Sequence, residues 1–316
     1  MKKYGFGVDV GGTTCKLGLF QTDGTLIEKW EIPTDKRDGG KNILSDLAAS
    51  IETKMSDRSI DKSDVEGIGI GVPGAVTDDG VVNRCVNVGW GVVPLVEEME
   101  KLTGLKVRAA NDANIAALGE SWMGAGKDFS SILMVTLGTG IGGGIVIGDH
   151  ILSGFNGSAA EIGHIMVDES ETLQCNCGKY GCIEQYASAT GIVRVAQRHI
   201  EKDPEAAKRS AFTKIDGFTA KDVFDAAKEY DIFALDTVRE VCGMLGKMIA
   251  TVCNVINPEA VLIGGGVSKA GHIIIDELMP GFKVGAFHAC ADTKIELATL
   301  GNDAGIYGGV KLVMED

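Results

Sequence analysis

The stretch Phe6-Gly-Val-Asp-Val-Gly-Gly-Thr-Thr-Cys-Lys-Leu-Gly-Leu-Phe20 decides the fold, because it holds two apolar runs separated by a glycine-rich break. Two such runs around a glycine turn are typical of a β-hairpin. The same plan recurs in the second half of the chain, where apolar residues 132–137 and 145–147 flank Gly138-Thr-Gly140. The sequence therefore predicts two hairpins of one design.

A second pair of segments supports this internal repeat. Residues 67–72 run into Pro73-Gly74, and residues 260–263 run into Gly264-Gly265-Gly266, so each half carries an apolar strand that ends in glycine. Amphipathic helical segments separate the strands, which favours largely parallel sheets covered on both faces. The pattern predicts a duplicated α/β domain rather than a short solenoid repeat.

Several segments of the sequence predict helices and the residues at which they begin or end. Residues 43–55 place their apolar side chains on one helical face, Pro94 stands where a helix can begin, and a long helix is expected to stop at Asn257-Pro258. A final helix, from about residue 303 to residue 314, is expected to return to the first domain. The predicted domains are residues 1–125 with 301–316, and residues 126–300.

Composition limits the possible functions. At 316 residues the chain fits two domains, and a net charge of −14 opposes broad contact with nucleic acid. The uncharged run 130–148 carries six glycines, which favour turns over a membrane helix. Eight cysteines without a disulfide-like framework fit a reduced compartment, and the chain enters a strand with no apolar signal core. We expect a soluble cytoplasmic protein with neither a nucleic-acid nor a membrane partner.

The densest group of chemistry-bearing residues lies between residues 161 and 184. One imidazole and three thiols stand close together in the sequence: His164, Cys175, Cys177 and Cys182. Such a set makes a closed tetrahedral zinc site with no position left for a catalytic water. Glu161 and Glu184 flank it, so the metal would fix two carboxylates in space. The alternative is a group of ordinary buried thiols with a core histidine nearby.

The first glycine turn also carries chemistry. Asp9, Gly11, Gly12, Thr13, Thr14 and Lys16 combine backbone N–H groups, hydroxyls, a carboxylate and an ammonium. Glycine turns beside strands present N–H groups to phosphate, and a carboxylate near phosphates implies a bridging Mg²⁺. Many glycine turns serve only tight hairpins, but two in matching places favour a phosphate site.

Asn111 and Asp112 precede a predicted helix. A carboxylate at a helix start is stabilised in its ionised form by the helix dipole. An Asn-Asp pair in this place is also a common helix cap with no further role. Spacing alone leaves both interpretations open.

Taken together, the motifs resemble one known family. Five of them follow one another in that family's order: Asp-x-Gly-Gly-Thr at 9–13, Asn-Asp-Ala-Asn at 111–114, Gly-Thr-Gly-Ile-Gly-Gly-Gly at 138–144, Glu-x-Gly-His at 161–164 and Cys-x-Cys-Gly-x-x-Gly-Cys-x-Glu at 175–184. The set resembles the ROK family of sugar kinases and repressors, within the actin-like ATPase superfamily. The similarity extends over essentially the whole chain. It implies two actin-like, ribonuclease H-like domains of the hexokinase type with a cleft between them.

The resemblance implies roles for single residues. Asp112 corresponds to the catalytic base that takes a proton from the sugar hydroxyl, and Asn111 to a contact with the neighbouring hydroxyl. Other implied sugar contacts are Glu161, His164 and Glu184, with His164 also a zinc ligand. Implied nucleotide and phosphate contacts are Gly11, Gly12, Thr13, Thr14, Thr139, Gly140, Gly264, Gly265 and Gly266, to which the chemistry of the first turn adds Asp9 and Lys16 as candidates. The implied cofactors are ATP, Mg²⁺ and a structural Zn²⁺.

Within the family, an enzyme is favoured over a repressor. Family repressors carry a DNA-reading helix-turn-helix segment at the N-terminus, whereas the first predicted strand here begins by about residue 5. The acidic net charge favours the same conclusion. ADP or polyphosphate as phosphoryl donor stays open, but no Lys/Arg cluster of the kind that serves polyphosphate is present, so we expect ATP.

The sugar is the least constrained feature. Gly71-Val-Pro-Gly-Ala-Val76 followed by Asn87-Val-Gly-Trp90 resembles bacterial glucokinases of this family, so we expect phosphorylation of glucose at its 6-hydroxyl. Asn87 is a candidate sugar contact, or else only a turn residue ahead of Gly89. Kinases for N-acetylmannosamine and other hexoses share the zinc set, which therefore does not discriminate. The resemblance also suggests a homodimer or a dimer of dimers.

Overall fold

The computed structural model describes residues 2–315, and its first sheet has five strands. Their bounds are Tyr4–Val10 (β1), Thr14–Gln21 (β2), Leu26–Pro33 (β3), Val65–Val72 (β4) and Val107–Asn111 (β5). The strand order is β3-β2-β1-β4-β5. β1 and β2 pair antiparallel across the glycine turn, which confirms the first predicted hairpin.

The prediction of largely parallel sheets is wrong for this sheet, which is mixed. β1–β2 and β2–β3 are antiparallel, whereas β1–β4 and β4–β5 are parallel. A short turn can join only antiparallel neighbours, so the hairpins themselves dictate the first two pairings. β4 and β5 follow helical connections and are therefore free to run parallel.

The second sheet repeats this plan. Its strands are Ser131–Leu137 (β6), Ile141–Ile147 (β7), His150–Ile151 (β8), Ala260–Gly264 (β9) and Lys294–Leu297 (β10). The order β10-β9-β6-β7-β8, read from its other end, is the order of the first sheet. The match confirms the internal repeat that the glycine turns predicted.

Ten α-helices accompany the strands within residues 2–315. They are Ile43–Asp57 (α1), Leu95–Thr103 (α2), Asp112–Met123 (α3), Glu184–Ala187 (α4), Ala189–Lys202 (α5), Pro204–Ala207 (α6), Ala220–Lys228 (α7), Ile232–Ile256 (α8), Ile273–Gly285 (α9) and Ala304–Met314 (α10). Pro94 directly precedes α2, as predicted. α8 ends at Asn257, whose φ of +46° breaks the helix ahead of Pro258.

The uncharged run 130–148 forms β6 and β7 rather than a helix. Among residues 2–315, no helix has both the length and the apolar composition that crossing a bilayer requires. The glycines of the run are thus used in a strand and in its turn, as the sequence indicated.

The chain folds into two compact units. The first comprises Met1–Met134, Gly144–Ala160 and Thr299–Asp316, and the second comprises Val135–Gly143 and Glu161–Ala298. The sequence predicts domain boundaries between residues 125 and 126 and between residues 300 and 301. The first unit contains the first sheet with α1, α2, α3 and α10, and its core includes the predicted apolar face of α1.

α10 lies directly against the first sheet, and glycines make this contact possible. A Cβ added at Gly7 or at Gly69 would lie 1.8 Å from a carbonyl oxygen of α10. On its other side, α10 meets α3, where a Cβ added at Gly308 would lie 1.7 Å from the Ile115 carbonyl oxygen. Backbone therefore packs on backbone along this helix, and any side chain at these positions would force the elements apart.

We expect Gly308→Ala to destabilise the protein by about 1–3 kcal/mol or more, because overpacking displaces both helices. The free energy of unfolding in urea measures this. Gly243→Ala in α8 is the control, since a Cβ there meets nothing within 4 Å. It should be neutral or stabilising by roughly 0.5–1 kcal/mol, as a helical Gly→Ala change usually is where the added methyl group finds open space. Equal stability of the two variants would contradict the packing argument.

Candidate functional site

The turn between β1 and β2 is closed by a backbone contact that requires glycine at position 11. The Gly11 N–H donates to the Thr14 carbonyl oxygen over 3.1 Å, and a Cβ at Gly11 would lie 2.7 Å from that oxygen. A Cβ at Gly12 would lie 3.5 Å from the Asn87 carbonyl oxygen. The glycine pair therefore stands against the short helical turn that carries the exposed Asn87.

Asp9 stands opposite Lys16 in this hairpin. Burial raises the pKa of the Asp9 carboxyl, and the Lys16 ammonium offsets only part of that effect. The start of α10 closes over the same carboxyl, since a Cβ at Gly305 would lie 3.1 Å from Asp9 Cγ. An ionised Asp9 is thus incompletely compensated by the protein, and its oxygen ligand suits a hard divalent cation.

Asn111 is the N-cap of α3, which confirms the capping interpretation for this residue. Its Oδ1 accepts from the N–H groups of Ala113 and Asn114 over 2.9 and 3.3 Å, and its Nδ2 donates to the Gly74 carbonyl oxygen over 3.3 Å. Asp112 is the first helical residue rather than the cap, and its Oδ1 accepts from the Ala113 N–H over 2.8 Å. The positive end of the helix dipole favours its ionised form.

Cys85 connects the turn of Asn87 to Asp112. Its backbone exchanges two hydrogen bonds of 3.0 Å with Trp90, and its Sγ donates to the Pro73 carbonyl oxygen over 3.2 Å. Burial raises the pKa of the Cys85 thiol, and the charge of Asp112 adds to the shift. Because that effect needs proximity, the turn of Asn87 and the start of α3 belong to one neighbourhood.

In the second unit, four side chains converge on one point. The ligand atoms of His164, Cys175, Cys177 and Cys182 all lie within 4.8 Å of one another. Cys175 Sγ is 3.9 Å from His164 Nδ1, and Cys177 Sγ is 3.6 Å from Cys182 Sγ. Zn–S bonds of about 2.3 Å in a tetrahedral site separate sulfur ligands by about 3.8 Å. The donor set and its spacing therefore fit a zinc ion, and this cluster could hold one.

Glu184 links this cluster to the second glycine turn. Its Oε2 accepts from the Ile141 N–H over 2.9 Å, and its Oε1 lies 4.0 Å from Cys175 Sγ. A Cβ at Gly140 would lie 2.3 Å from Glu184 Oε2, so glycine is needed for the carboxylate to reach the turn. One side chain thus contacts both the predicted metal ligands and the predicted phosphate turn.

Glu161 lies one short helical turn before His164, whose N–H donates to the Glu161 carbonyl oxygen over 3.1 Å. Gly163, between them, approaches β7 so closely that a Cβ would lie 2.2 Å from the Ile141 carbonyl oxygen. This segment therefore packs against the same strand that Glu184 contacts.

A cavity of about 520 Å³ lies beside the second glycine turn, within the second unit. Gly138, Thr139 and Gly266 contribute to its wall, together with apolar Phe224. Gly265 adopts a φ of +84°, and a Cβ there would meet the backbone of β6 at 2.5 Å. The cavity thus brings together two glycine segments that lie far apart in the sequence.

Three lysines line the same cavity, and the sequence analysis missed them: Lys221, Lys228 and Lys269. Lys221 and Lys228 both form ion pairs with Asp225 between them on α7. Their spacing places Lys221 and Lys228 on one face of α7, and this shared face is the feature of the sequence that could have indicated them. Solvated helices show the same spacing, so it could not identify a site before the fold was known.

The loop that leads to Cys175 is braced by a buried carboxylate that the sequence did not indicate. Glu171 accepts from Arg198 over 2.6 and 2.9 Å, from the Tyr186 hydroxyl over 2.8 Å, and from two backbone N–H groups of the loop. Burial by itself would raise the pKa of Glu171, but these hydrogen bonds outweigh it and lower the pKa to about 2. The ionised carboxylate therefore holds the loop.

The predicted residues are distributed over both units. The first unit holds Asp9, Gly11, Gly12, Thr13, Thr14, Lys16, Asn87, Asn111 and Asp112. The second holds Thr139, Gly140, Glu161, His164, Cys175, Cys177, Cys182, Glu184, Gly264, Gly265 and Gly266. Each unit thus presents a glycine turn suited to phosphate beside carboxylates suited to hydroxyl groups or a cation.

Known proteins are similar to this chain in sequence and in fold. A sequence model described as the ROK family matches residues 5–316. The chain is 47% identical to a glucokinase of Halalkalibacterium halodurans, covering 98% of this chain and 94% of the relative. It is 37% identical to a glucokinase of Thermotoga maritima, covering 98% and 96%. A ROK family glucokinase of Streptomyces griseus, solved with glucose and AMPPNP, superposes with a TM-score of 0.77 at 34% identity, covering 98% of each chain.

Because the pKa of Glu171 is lowered from 4.5 to about 2, its hydrogen bonds stabilise the fold fully above about pH 5 and are lost as the pH falls towards 2. Glu171→Gln removes the charged partner of Arg198, whose side chain is 39% exposed, so we expect the free energy of unfolding to fall by about 1–3 kcal/mol at pH 7, and by less on acidification. Urea unfolding followed by circular dichroism across this pH range measures both.

The control is Glu97→Gln, because the side chain of Glu97 is 64% exposed and pairs with Lys101 across one helical turn. It should change the free energy of unfolding by less than about 1 kcal/mol at every pH. If the free energy of unfolding of Glu171→Gln differed from that of the wild type by the same amount at every pH, the ionised carboxylate would not be what holds the loop.

Proposed function

Because the chain belongs to the ROK family, we propose that it is a glucokinase that transfers the terminal phosphoryl group of ATP to the 6-hydroxyl of glucose. Identity of 47% along nearly the whole chain to a glucokinase is the observation that carries this proposal. The two glycine turns and the carboxylate at the start of α3 supply the chemistry that such a transfer needs.

Asp112 is the proposed general base. In phosphoryl transfer the protein chiefly positions the reactants and stabilises charge, while a base takes up the proton of the attacking hydroxyl. Asp112 is the first residue of α3, and its carboxylate would accept that proton.

Glucose would be recognised by side chains that form hydrogen bonds with its hydroxyl groups. The proposed contacts are Asn87, Asn111, Asp112, Glu161, His164 and Glu184. His164 turns Nδ1 towards Cys175, which leaves Nε2 free to donate to a sugar hydroxyl. A site built to hydrogen-bond a hydroxyl strongly rejects an analogue that lacks it, so this set discriminates between sugars.

The phosphates of ATP are proposed to lie at Thr139 and Gly140 and at the first turn, Gly11 to Thr14, with Lys16 nearby. The nucleoside would occupy the 520 Å³ cavity bounded by the Gly264–Gly266 turn. Asp9 would help to hold Mg²⁺ against the phosphates, which accounts for a carboxylate kept buried with its pKa raised. Mg²⁺ would neutralise the charge that develops on the transferred group.

Zinc, held by His164, Cys175, Cys177 and Cys182, would act only as a structural ion. All four positions of a tetrahedral ion are taken by protein, so none remains for a reacting water. Its proposed effect is to fix the side chains of His164 and Glu184 for contact with the sugar.

ATP as donor and eight free cysteines fit a cytoplasmic enzyme. We propose a homodimer or a dimer of dimers as its working form.

We expect purified protein with Mg-ATP to release ADP fastest with glucose, compared with N-acetylmannosamine, N-acetylglucosamine, mannose, fructose and allose. Asp112→Asn should lower kcat by a factor of roughly 10² to 10⁴, the usual contribution of a general base. Glucose binding should persist in this variant, because the amide still hydrogen-bonds a hydroxyl. A coupled ADP assay and calorimetry measure the two effects.

Asp46→Asn is the matched control, since Asp46 lies in the first turn of α1 but has no proposed role. It should keep wild-type kcat. Faster turnover on an N-acetyl sugar would change the substrate while leaving the base in place. Sugar binding without ADP release from any sugar would instead favour a sugar-binding regulator.

We expect about one zinc per chain, lost in Cys177→Ser. Loss of the metal frees His164 and Glu184, so kcat/KM for glucose should fall roughly 10- to 100-fold, as is usual when the support of a site is removed. Elemental analysis and the same assay test this. Cys290→Ser is the control, because the Sγ of Cys290 bonds to oxygen atoms of Cys253 and Asn257, outside the cluster. Full activity of a zinc-free protein would contradict the proposed structural role.

A further inference from the structure

The cavity of about 520 Å³ in the second unit lies where two glycine turns meet. A Cβ added at Gly265 would lie 2.5 Å from the Leu137 carbonyl oxygen, so the turn Gly264–Gly266 packs directly against the residue that precedes the second glycine turn. The short helical turn Val267–Ala270 follows at once. This helical turn is therefore held next to the second glycine turn.

Lys269 belongs to this helical turn and lines the cavity. The Ser268 hydroxyl donates to the Gly265 carbonyl oxygen over 2.8 Å, which fixes the backbone just before Lys269. The Lys269 ammonium forms no hydrogen bond or ion pair with any residue from 2 to 315. A lysine ammonium offers three N–H donors and no acceptor. Lys269 thus brings a positive charge to the cavity that no carboxylate of the described chain neutralises by contact.

The other two lysines of the cavity wall differ from Lys269, because both form ion pairs with Asp225. Three lysines and one aspartate give the wall a formal charge of +2, whereas the whole chain carries −14. A locally positive cavity in an acidic protein attracts an anion. Since Lys221 and Lys228 share the one carboxylate of the wall, Lys269 is the ammonium that is free to pair with that anion.

Polar and apolar features divide the cavity between a phosphate end and a base end. Ala189, the first residue of α5, lines the cavity, and its N–H donates to the Gly138 carbonyl oxygen over 2.8 Å. The positive end of the α5 dipole therefore lies against the second glycine turn, which favours phosphate there. Ala220 and Phe224 supply an apolar wall that suits a base. Lys269 adjoins the phosphate end, because its helical turn follows the glycine segment packed beside that turn.

We propose that Lys269 binds the diphosphate portion of the nucleotide, which ATP and ADP have in common, and so sets the affinity for both. This inference rests on the proposed function, which places the nucleoside in this cavity. An ammonium on the nucleoside side contacts the phosphates that stay with ADP rather than the group that is transferred. An interaction made equally in the substrate complex and in the transition state lowers KM and leaves kcat unchanged. Lys269 is therefore a binding residue and not a catalytic one.

Titration calorimetry of the full chain with Mg-ADP, and with adenosine at millimolar concentrations, tests the proposal. In Lys269→Gln the affinity for ADP should fall roughly 10-fold, the usual effect of losing a charged hydrogen-bond donor. Affinity for adenosine, which has no phosphate, should stay within about twofold. The loss for ADP should shrink as potassium chloride is raised to about 0.5 M, because salt screens an exposed charge. In the ADP-release assay, KM for ATP should rise by the same factor, with kcat and KM for glucose unchanged.

Lys283→Gln is the matched control, because Lys283 is an exposed lysine of the same unit, on α9, that does not line the cavity. It should bind ADP and adenosine as the wild type does. Lys269→Arg keeps the charge and should retain most of the affinity for ADP. Thermal melting should show that all three variants fold.

Unchanged affinity for ADP in Lys269→Gln would overturn the proposal, and so would equal losses for ADP and adenosine. A fall in kcat with KM for ATP unchanged would also overturn it, as would a wild-type protein that does not bind ADP. A selective loss of ADP affinity in a protein that releases ADP with no sugar would remove the proposed kinase function and leave the role of Lys269 standing.

Discussion

The contact of α10 with the first sheet and with α3 is the constraint on which the first unit depends. Backbone meets backbone at Gly7, Gly69 and Gly308, so these elements can occupy only one mutual arrangement. β1 ends near Asp9 and α3 begins at Asp112. Because strands and helices are stiff over these lengths, fixing their middles also fixes the carboxylates at their ends. Glycines, which have no reactive side chain, thus determine where the carboxylates lie.

The second unit depends on carboxylates in an equivalent way. Glu184 bonds to the turn after Gly140 and contacts the cysteine cluster, so the turn and the cluster share one anchor. Glu171, bonded to Arg198, braces the approach to Cys175 independently of any metal. Two carboxylates thus support a loop whose own residues form little regular structure. This redundancy fits a loop that must keep two flanking glutamates in place.

Buried polar groups in this protein divide into two kinds. The pKa of Glu171 is lowered because the fold supplies its hydrogen bonds, so its charge stabilises the protein. The pKa of Asp9 is raised because burial outweighs the effect of the Lys16 ammonium, so the fold compensates its charge only in part. Groups of the first kind build the structure. A group of the second kind costs stability, and at Asp9 a bound cation would offset that cost.

The sequence by itself determined the local features of this protein. The glycine turns predicted both hairpins and the repeat, Pro94 and Asn257-Pro258 marked helix ends, and His164 with three cysteines marked the cluster, because each depends on neighbours in the chain. Only the tertiary structure decided the mixed sheet, the lysines beside Gly138 and Gly266, and the bracing Glu171. These arise from segments brought together by packing, and no pattern within one segment records which distant segment it will meet.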